Sequence, residues 1–306
     1  MIPNILGIPE RMERAKPIPN FMWKGWIPLL VLPLGAFGAR SLLPAWAFMW
    51  TLSITIFLGL KWLTWWKIRD VVPHDIWRSA AYLFAWPGMD AESFLDSTLQ
   101  VPSPSGSDWC WAMFKTALGA ILFWAIARLF SGEPLLQGWI GMFGLILLLH
   151  FGGFELIALT WRGLGVAAKP IMSGPLRSTS LAEFWGKRWN LGFRQLSYDL
   201  IFRPLQKSWG APAAGFLVFA ASGLVHDLVI SVPARGGYGL PTAYFVLQGV
   251  GVTIERSEFA KRIGLREGLR GWVFTVVIVA GPAFWLFHPP FVLNVILPFM
   301  KAVHAL

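Results

Sequence analysis

Charged side chains are scarce. Asp, Glu, Lys and Arg make up 14% of the 306 residues, where a soluble domain carries about a quarter. That deficit excludes an ordinary soluble globular protein. Cysteine is nearly absent. Cys110 stands alone, so no intramolecular disulfide can form, and cysteine cannot build a zinc or iron–sulfur centre. No metal is expected. A cleavable signal is not evident either. The first residues are polar and proline-rich, with no small-residue cleavage site after a short apolar core, so the first span is expected to direct its own insertion. Repeats and flexible linkers are missing, which points to one domain over 1–306.

What is present is apolar. Hydrophobic types reach 56%, mean hydropathy is +0.57, and there are 19 tryptophans, a residue that favours the membrane–water interface. A spanning helix needs about 20 mostly apolar residues. Runs near 25–39, 43–60, 109–130, 138–161, 211–232, 241–255, 271–288 and 289–305 fit, the first, sixth and last being short. The expected fold is all-α, a polytopic transmembrane helical bundle of about eight spans. Basic residues alternate between its connections: eight Lys/Arg in 162–210 and five in 256–270, but one in 233–240 and none in the last connection. By the positive-inside rule the N terminus and the loops 61–108, 162–210 and 256–270 are cytoplasmic. The net charge of +10 thus reads as cytoplasmic loops rather than nucleic-acid binding.

The longest connection, 162–210, contains "SLAEFWGKRWN", Ser180 to Asn190. Ser180 and Glu183 have the spacing of a capping box, which predicts a helix starting there. At 100° per residue Leu181, Phe184, Trp185, Trp189 and Leu191 share one face; Glu183, Gly186, Lys187 and Asn190 share the other. Arg188 falls on the apolar side, where its head can snorkel. On periodicity alone this is an interfacial amphipathic helix. Gly186, costly within a helix, suggests that something approaches the polar face closely.

Two ionisable residues, His226 and Asp227, fall inside the fifth span. Charge at that depth costs at least about 2.5 kcal/mol, so the imidazole is expected neutral and able to accept a proton. Asp227 points about 100° away from it. Ser222, one turn earlier, is either a partner of His226 or bonded back to its own helix. A structural histidine tying helices together is the plain alternative for His226, but a histidine and an acid side by side within a span put the functional reading ahead of it. His150 and Glu155, in the fourth span, read as inter-helix hydrogen-bonding groups.

"PLRSTSLAEFWGKRWN" (Pro175–Asn190), "FRPL" (Phe202–Leu205) and "SGLVHDL" (Ser222–Leu228), in that order, resemble the wax synthase-like branch of the membrane-bound O-acyltransferases. "AWPGMDAE" (Ala85–Glu92) is a weaker match to bacterial members. The family-like core is 175–230, and Asp227 stands where the family carries glutamate. The resemblance implies acyl transfer from acyl-CoA, as co-substrate and without a cofactor, to the hydroxyl of a long-chain alcohol or other lipid. It makes His226 the essential histidine and Asn190 its second polar partner. Trp185, Lys187, Arg188, Trp189, Arg194 and Arg203 are then candidates for donor binding, with Ser222, Asp227 and Gly186 in support. Other hydroxyl acceptors (a sterol, a polyketide, a sugar) and a proton-coupled transporter using His226, Asp227, His150 and Glu155 are the competing readings. The implied membrane is the bacterial inner membrane, or the endoplasmic reticulum in a eukaryote. Oligomeric state is left open.

Overall fold

The computed structural model describes residues 23–306. The N-terminal segment with Arg11, Arg14 and Lys16, read above as cytoplasmic, lies outside the described residues. Among those described there is no strand, and all regular structure is helical. In chain order the main helices are α1 (Trp23–Gly38), α2 (Ala45–Ile68), α3 (Ile76–Ala85), α4 (Gly106–Phe130), α5 (Pro134–Gly163), α6 (Leu191–Ala234), α7 (Leu240–Glu255), α8 (Gly268–Leu286) and α9 (Pro289–Ala302). Five of them, α2, α4, α5, α6 and α8, are long and apolar enough to cross a bilayer. Large apolar side chains such as Leu34 (69% exposed) and Val277 (57%) face outward, as lipid-facing residues do. This is an integral membrane protein. The three runs read as short correspond to α1, α7 and α9.

The helices fall into two compact units. One comprises residues 23–171 together with Pro289–Leu306. Its crossings rest on glycines: a methyl group at Gly59 of α2 would sit 2.5 Å from the Leu29 Cα of α1, and one at Gly119 of α4 would sit 2.5 Å from the Leu148 backbone nitrogen of α5. Without a hydrophobic drive between helices in lipid, such close approach is what holds them together. Glu155 of α5 pairs with Lys115 of α4, the inter-helix contact expected of it. His150 sets its ring edge-on to Phe154 at 5.3 Å, and its buried Nδ1 has no hydrogen-bond partner among the described residues.

The second span is longer than its apolar run. α2 continues to Ile68, so Lys61 and Lys67 belong to the helix and not to the following loop. Lys61 is wholly buried. Its Nζ donates to the Gly88 carbonyl at 2.6 Å and lies 3.2 Å from the centroid of the Tyr82 ring. The Lys61 amino group thus docks the "AWPGMDAE" stretch onto α2, where Trp86 stacks on Phe94 and Asp90 caps the short helix Ala91–Leu95. A carbonyl and an aromatic face replace water around the amino group, which is why a lysine is tolerated where apolar residues are the rule.

The other unit comprises 172–288. α6 is broken at Gly210, whose φ of 76° and ψ of 162° only glycine adopts freely. Its apolar half therefore starts at residue 211, where the fifth span was expected. α7 packs closely on that half: a methyl group at Gly223 would lie 2.7 Å from the Thr242 Cα.

Candidate functional site

Ser180 caps its helix as expected, accepting from the Glu183 N–H at 3.0 Å. The capping box is only half formed. The Glu183 carboxylate passes over the N-cap and accepts from the Thr179 N–H at 2.9 Å and from Arg188 at 2.6 and 2.8 Å. Partial burial alone would raise the Glu183 pKa, but these donors outweigh it and hold the carboxyl below its ordinary range. Arg188 does not snorkel. Beside Glu183 it donates to the Ser173 and Gly174 carbonyls at 3.2 and 3.4 Å, and so closes the loop that precedes the helix.

The continuous amphipathic helix is a further correction. One α-turn, Leu181–Glu183, gives way to a π-turn, Phe184–Arg188. The wider turn brings residues five apart into line, and the Trp189 N–H bonds to the Phe184 carbonyl at 2.9 Å. Phe184 and Trp189 then stack at 5.4 Å and 15°. At Trp189 the chain is extended, and Asn190 is left-handed with φ 44°, a conformation that asparagine tolerates better than most residues. Gly186 is buried instead of lying on a solvated face, and Arg194 donates to its carbonyl at 2.5 Å. Lys187 remains exposed. The half-buried Asn190 gives its backbone N–H to the Met172 sulfur at 3.3 Å, and its carboxamide has no hydrogen-bond partner among the described residues.

Trp185 points into the unit. Its ring meets Phe219 of α6 at 5.8 Å and Phe245 of α7 at 5.7 Å, and its Nε1–H donates to Gln248 at 3.4 Å. Phe245 in turn lies on the His226 ring, with centroids 4.3 Å apart. The crowded motif and the membrane histidine are thus joined through α7. One face of α7 does this: Phe245, Gln248 and, further along, Glu255, whose wholly buried carboxylate takes the N–H groups of Leu181 and Ala182 at the start of the motif helix. Its oxygens satisfy donors that a helix N-terminus leaves open. The polar Gln248 within an otherwise apolar span, with Glu255 two turns on, is the sequence signal for this face.

His226 is half-buried. Its Nδ1 is 2.7 Å from the Ser222 backbone carbonyl, so the group it meets is the carbonyl of Ser222 rather than the hydroxyl. A carbonyl can only accept, so Nδ1 carries the proton and a neutral ring leaves Nε2 as an acceptor. Asp227 does not touch the ring. Its carboxylate takes Ser231 Oγ at 2.8 Å, the Gly239 N–H at 2.9 Å, the Thr242 N–H at 3.1 Å and the Thr242 hydroxyl. It anchors the start of α7 onto the π-turn Asp227–Ser231. His288 is wholly buried there, with Nε2 3.1 Å from Ser231 Oγ.

Residues 168–247 match the model of the membrane bound O-acyl transferase family. This segment is similar to that family. The match takes in Trp185, Asn190, His226 and Phe245 and stops before Gln248 and Glu255. Among curated proteins, a probable long-chain-alcohol O-fatty-acyltransferase of Arabidopsis thaliana is 32% identical, covering 43% of this chain and 42% of its own length. The long-chain-alcohol O-fatty-acyltransferase of Simmondsia chinensis is 30% identical over 42% of this chain and 40% of its own. An acyl-CoA–sterol O-acyltransferase of Arabidopsis thaliana is 27% identical over 40% and 39%. The chain thus spans about two-fifths of the length of these relatives. The resemblance read from the motifs is to an acyltransferase segment, and the comparisons bear it out.

Proposed function

We propose that the protein transfers an acyl group from acyl-CoA to the hydroxyl of a long-chain alcohol or related lipid, giving a wax-ester-type product. The observation that carries this reading is the His226 ring: its Nδ1–H is held by a backbone carbonyl, and its Nε2 is left to accept, inside the acyltransferase segment. The alcohol gives its proton to Nε2 as its oxygen attacks the thioester carbonyl carbon. The C–S bond then breaks and the leaving thiolate takes the proton, so ester and CoA thiol are formed and the ring is regenerated. The unpartnered Asn190 carboxamide serves the donor carbonyl, as a hydrogen-bond donor to its developing negative charge.

The donor's phosphates are drawn to the exposed Lys187 and Lys207. Arg188 and Arg194, already bonded to Glu183 and to backbone carbonyls, shape the motif loop instead. Both acceptor and acyl chain dissolve in the bilayer, whereas CoA arrives from the water phase; the basic loops on the motif side support a cytoplasmic face there. A bacterial inner membrane is the setting the "AWPGMDAE" match favours. A proton-relay transporter draws no support from Asp227 and Glu155, since both carboxylates are held by fixed partners.

The test is ester formation by the purified protein from labelled acyl-CoA, with hexadecanol and a sterol as parallel acceptors. His226→Ala is expected to abolish product with either acceptor while leaving thermal unfolding unchanged. Product formation at the wild-type rate by that variant, or solute uptake into vesicles without ester, overturns the reading.

A further inference from the structure

We infer that Phe245 and Trp185 are positioning residues: together they fix the His226 imidazole in the one orientation that leaves Nε2 free to accept. A histidine on a helix can turn about its terminal side-chain torsion, which is broad and roughly two-fold. Its bond to the Ser222 carbonyl at 2.7 Å selects one of the two orientations. One neutral hydrogen bond is a weak constraint by itself, which leaves the alternative orientation populated unless packing adds to it. Phe245 supplies that packing, with its ring 4.3 Å from the imidazole and tilted by 39°.

Phe245 is itself held. Tyr244 lies edge-on to it at 5.2 Å, and Trp185 covers it at 5.7 Å. The Trp185 indole donates to Gln248, whose amide nitrogen donates to the Ile278 carbonyl at 2.8 Å. Gln248 is wholly buried, so this tie is shielded from water and costly to break. The path runs from α8 through Gln248 and Trp185 to Phe245 and ends on the imidazole. On this account the first tryptophan of the motif acts on the base through Phe245 and makes no contact with the donor. The inference rests on the acyl-transfer reading for its kinetic consequence and on the geometry alone for the orientation of the ring.

The experiment uses full-length protein in nanodiscs, ¹⁵N-labelled at histidine, with Phe245→Leu and Trp185→Phe. His226 signals are assigned by difference from His226→Ala. Wild type is expected to show a single Nδ1–H tautomer at His226, and Phe245→Leu a mixture of both. In the ester assay Phe245→Leu is expected to lower kcat about tenfold, part of the 10²–10⁴ that a placed general base contributes, with KM for acyl-CoA unchanged. Trp185→Phe keeps a ring against Phe245 but loses the bond to Gln248, so a smaller fall in kcat is expected, again without a change in KM. A wild-type tautomer and kcat in Phe245→Leu overturn the inference, as does a Trp185→Phe variant that raises only the KM for acyl-CoA. Should Phe245→Leu not fold, Trp185→Phe decides by the same two readouts. Should wild type make no ester at all, the acyl-transfer reading falls, and the tautomer comparison still decides the positioning.

Discussion

Asp227→Asn separates anchoring from chemistry at the residue next to the proposed base. Asp227 accepts four hydrogen bonds, two at each oxygen. Asparagine keeps one accepting oxygen and puts an amide, which only donates, in place of the other. With its oxygen toward Thr242, the amide faces the Gly239 N–H at 2.9 Å and Ser231 Oγ at 2.8 Å. The hydroxyl can turn and accept; the N–H cannot. One bond to a charged group is lost outright, and the others become neutral ones. At about 1.5–3 kcal/mol for a bond to a charged group and about 1 for a neutral one, the loss is on the order of 2–4 kcal/mol. Thermal unfolding of the purified protein should shift downward by several degrees, at roughly 2–4 °C per kcal/mol. Asp227→Glu should recover most of the shift, since it keeps both accepting oxygens. Turnover per folded molecule should fall little in either variant, because Asp227 does not touch His226. An Asp227→Asn protein with wild-type unfolding and no turnover would refute the reasoning and return Asp227 to the reaction itself.

Further expectations follow from other contacts. Gly119→Ala drives a methyl group to 2.5 Å from the Leu148 nitrogen and 2.8 Å from the Gly144 carbonyl; overpacking of this kind costs about 1–3 kcal/mol. At Gly35 nothing lies within 4 Å, so Gly35→Ala should stabilise α1 by up to about 1 kcal/mol, and paired unfolding curves check both. Glu255→Gln replaces one of the two buried oxygens that receive the Leu181 and Ala182 N–H groups with an amide that only donates, and protease nicking of the 174–190 segment should speed up; equal nicking rates would show that this contact does not hold the motif. The Glu183 carboxyl is held below its ordinary range, so its contribution to stability is complete above the unfolded value of about 4.3 and is lost as pH falls through the lower folded value. The unfolding temperature should therefore show no Glu183→Gln-sensitive change between pH 5 and 8, and the difference between the two proteins should shrink only in more acidic buffer.

Local pattern carried much of this fold. Apolar length marked the helices, and Gly210 breaks α6 one residue before the expected start of its apolar half. Ser180 read correctly as a cap because capping is a matter of adjacent residues. The motif helix failed where a local rule met a distant partner. A 3.6-residue period cannot register the π-turn, which comes with Trp185 directed at Phe245 and Gln248, some sixty positions along the chain. Lys61 misled for a related reason: a cation reads as a helix end unless the Tyr82 ring and the Gly88 carbonyl are known to await it. His288 and Asp227 gained their meaning only when the turn before α7 folded between them.

The partner of the His226 Nδ1 has one more consequence. A backbone carbonyl orients an imidazole but brings no full negative charge to balance a positive one, and the adjacent Asp227 carboxylate, bonded to Ser231, Gly239 and Thr242, makes no hydrogen bond to the ring. A ring so placed is a poor store for what it picks up. In the reaction proposed above it passes the hydrogen ion to the departing sulfur within the same catalytic cycle, which would tie every deprotonation to a completed transfer and discourage idle ionisation when only the alcohol is bound.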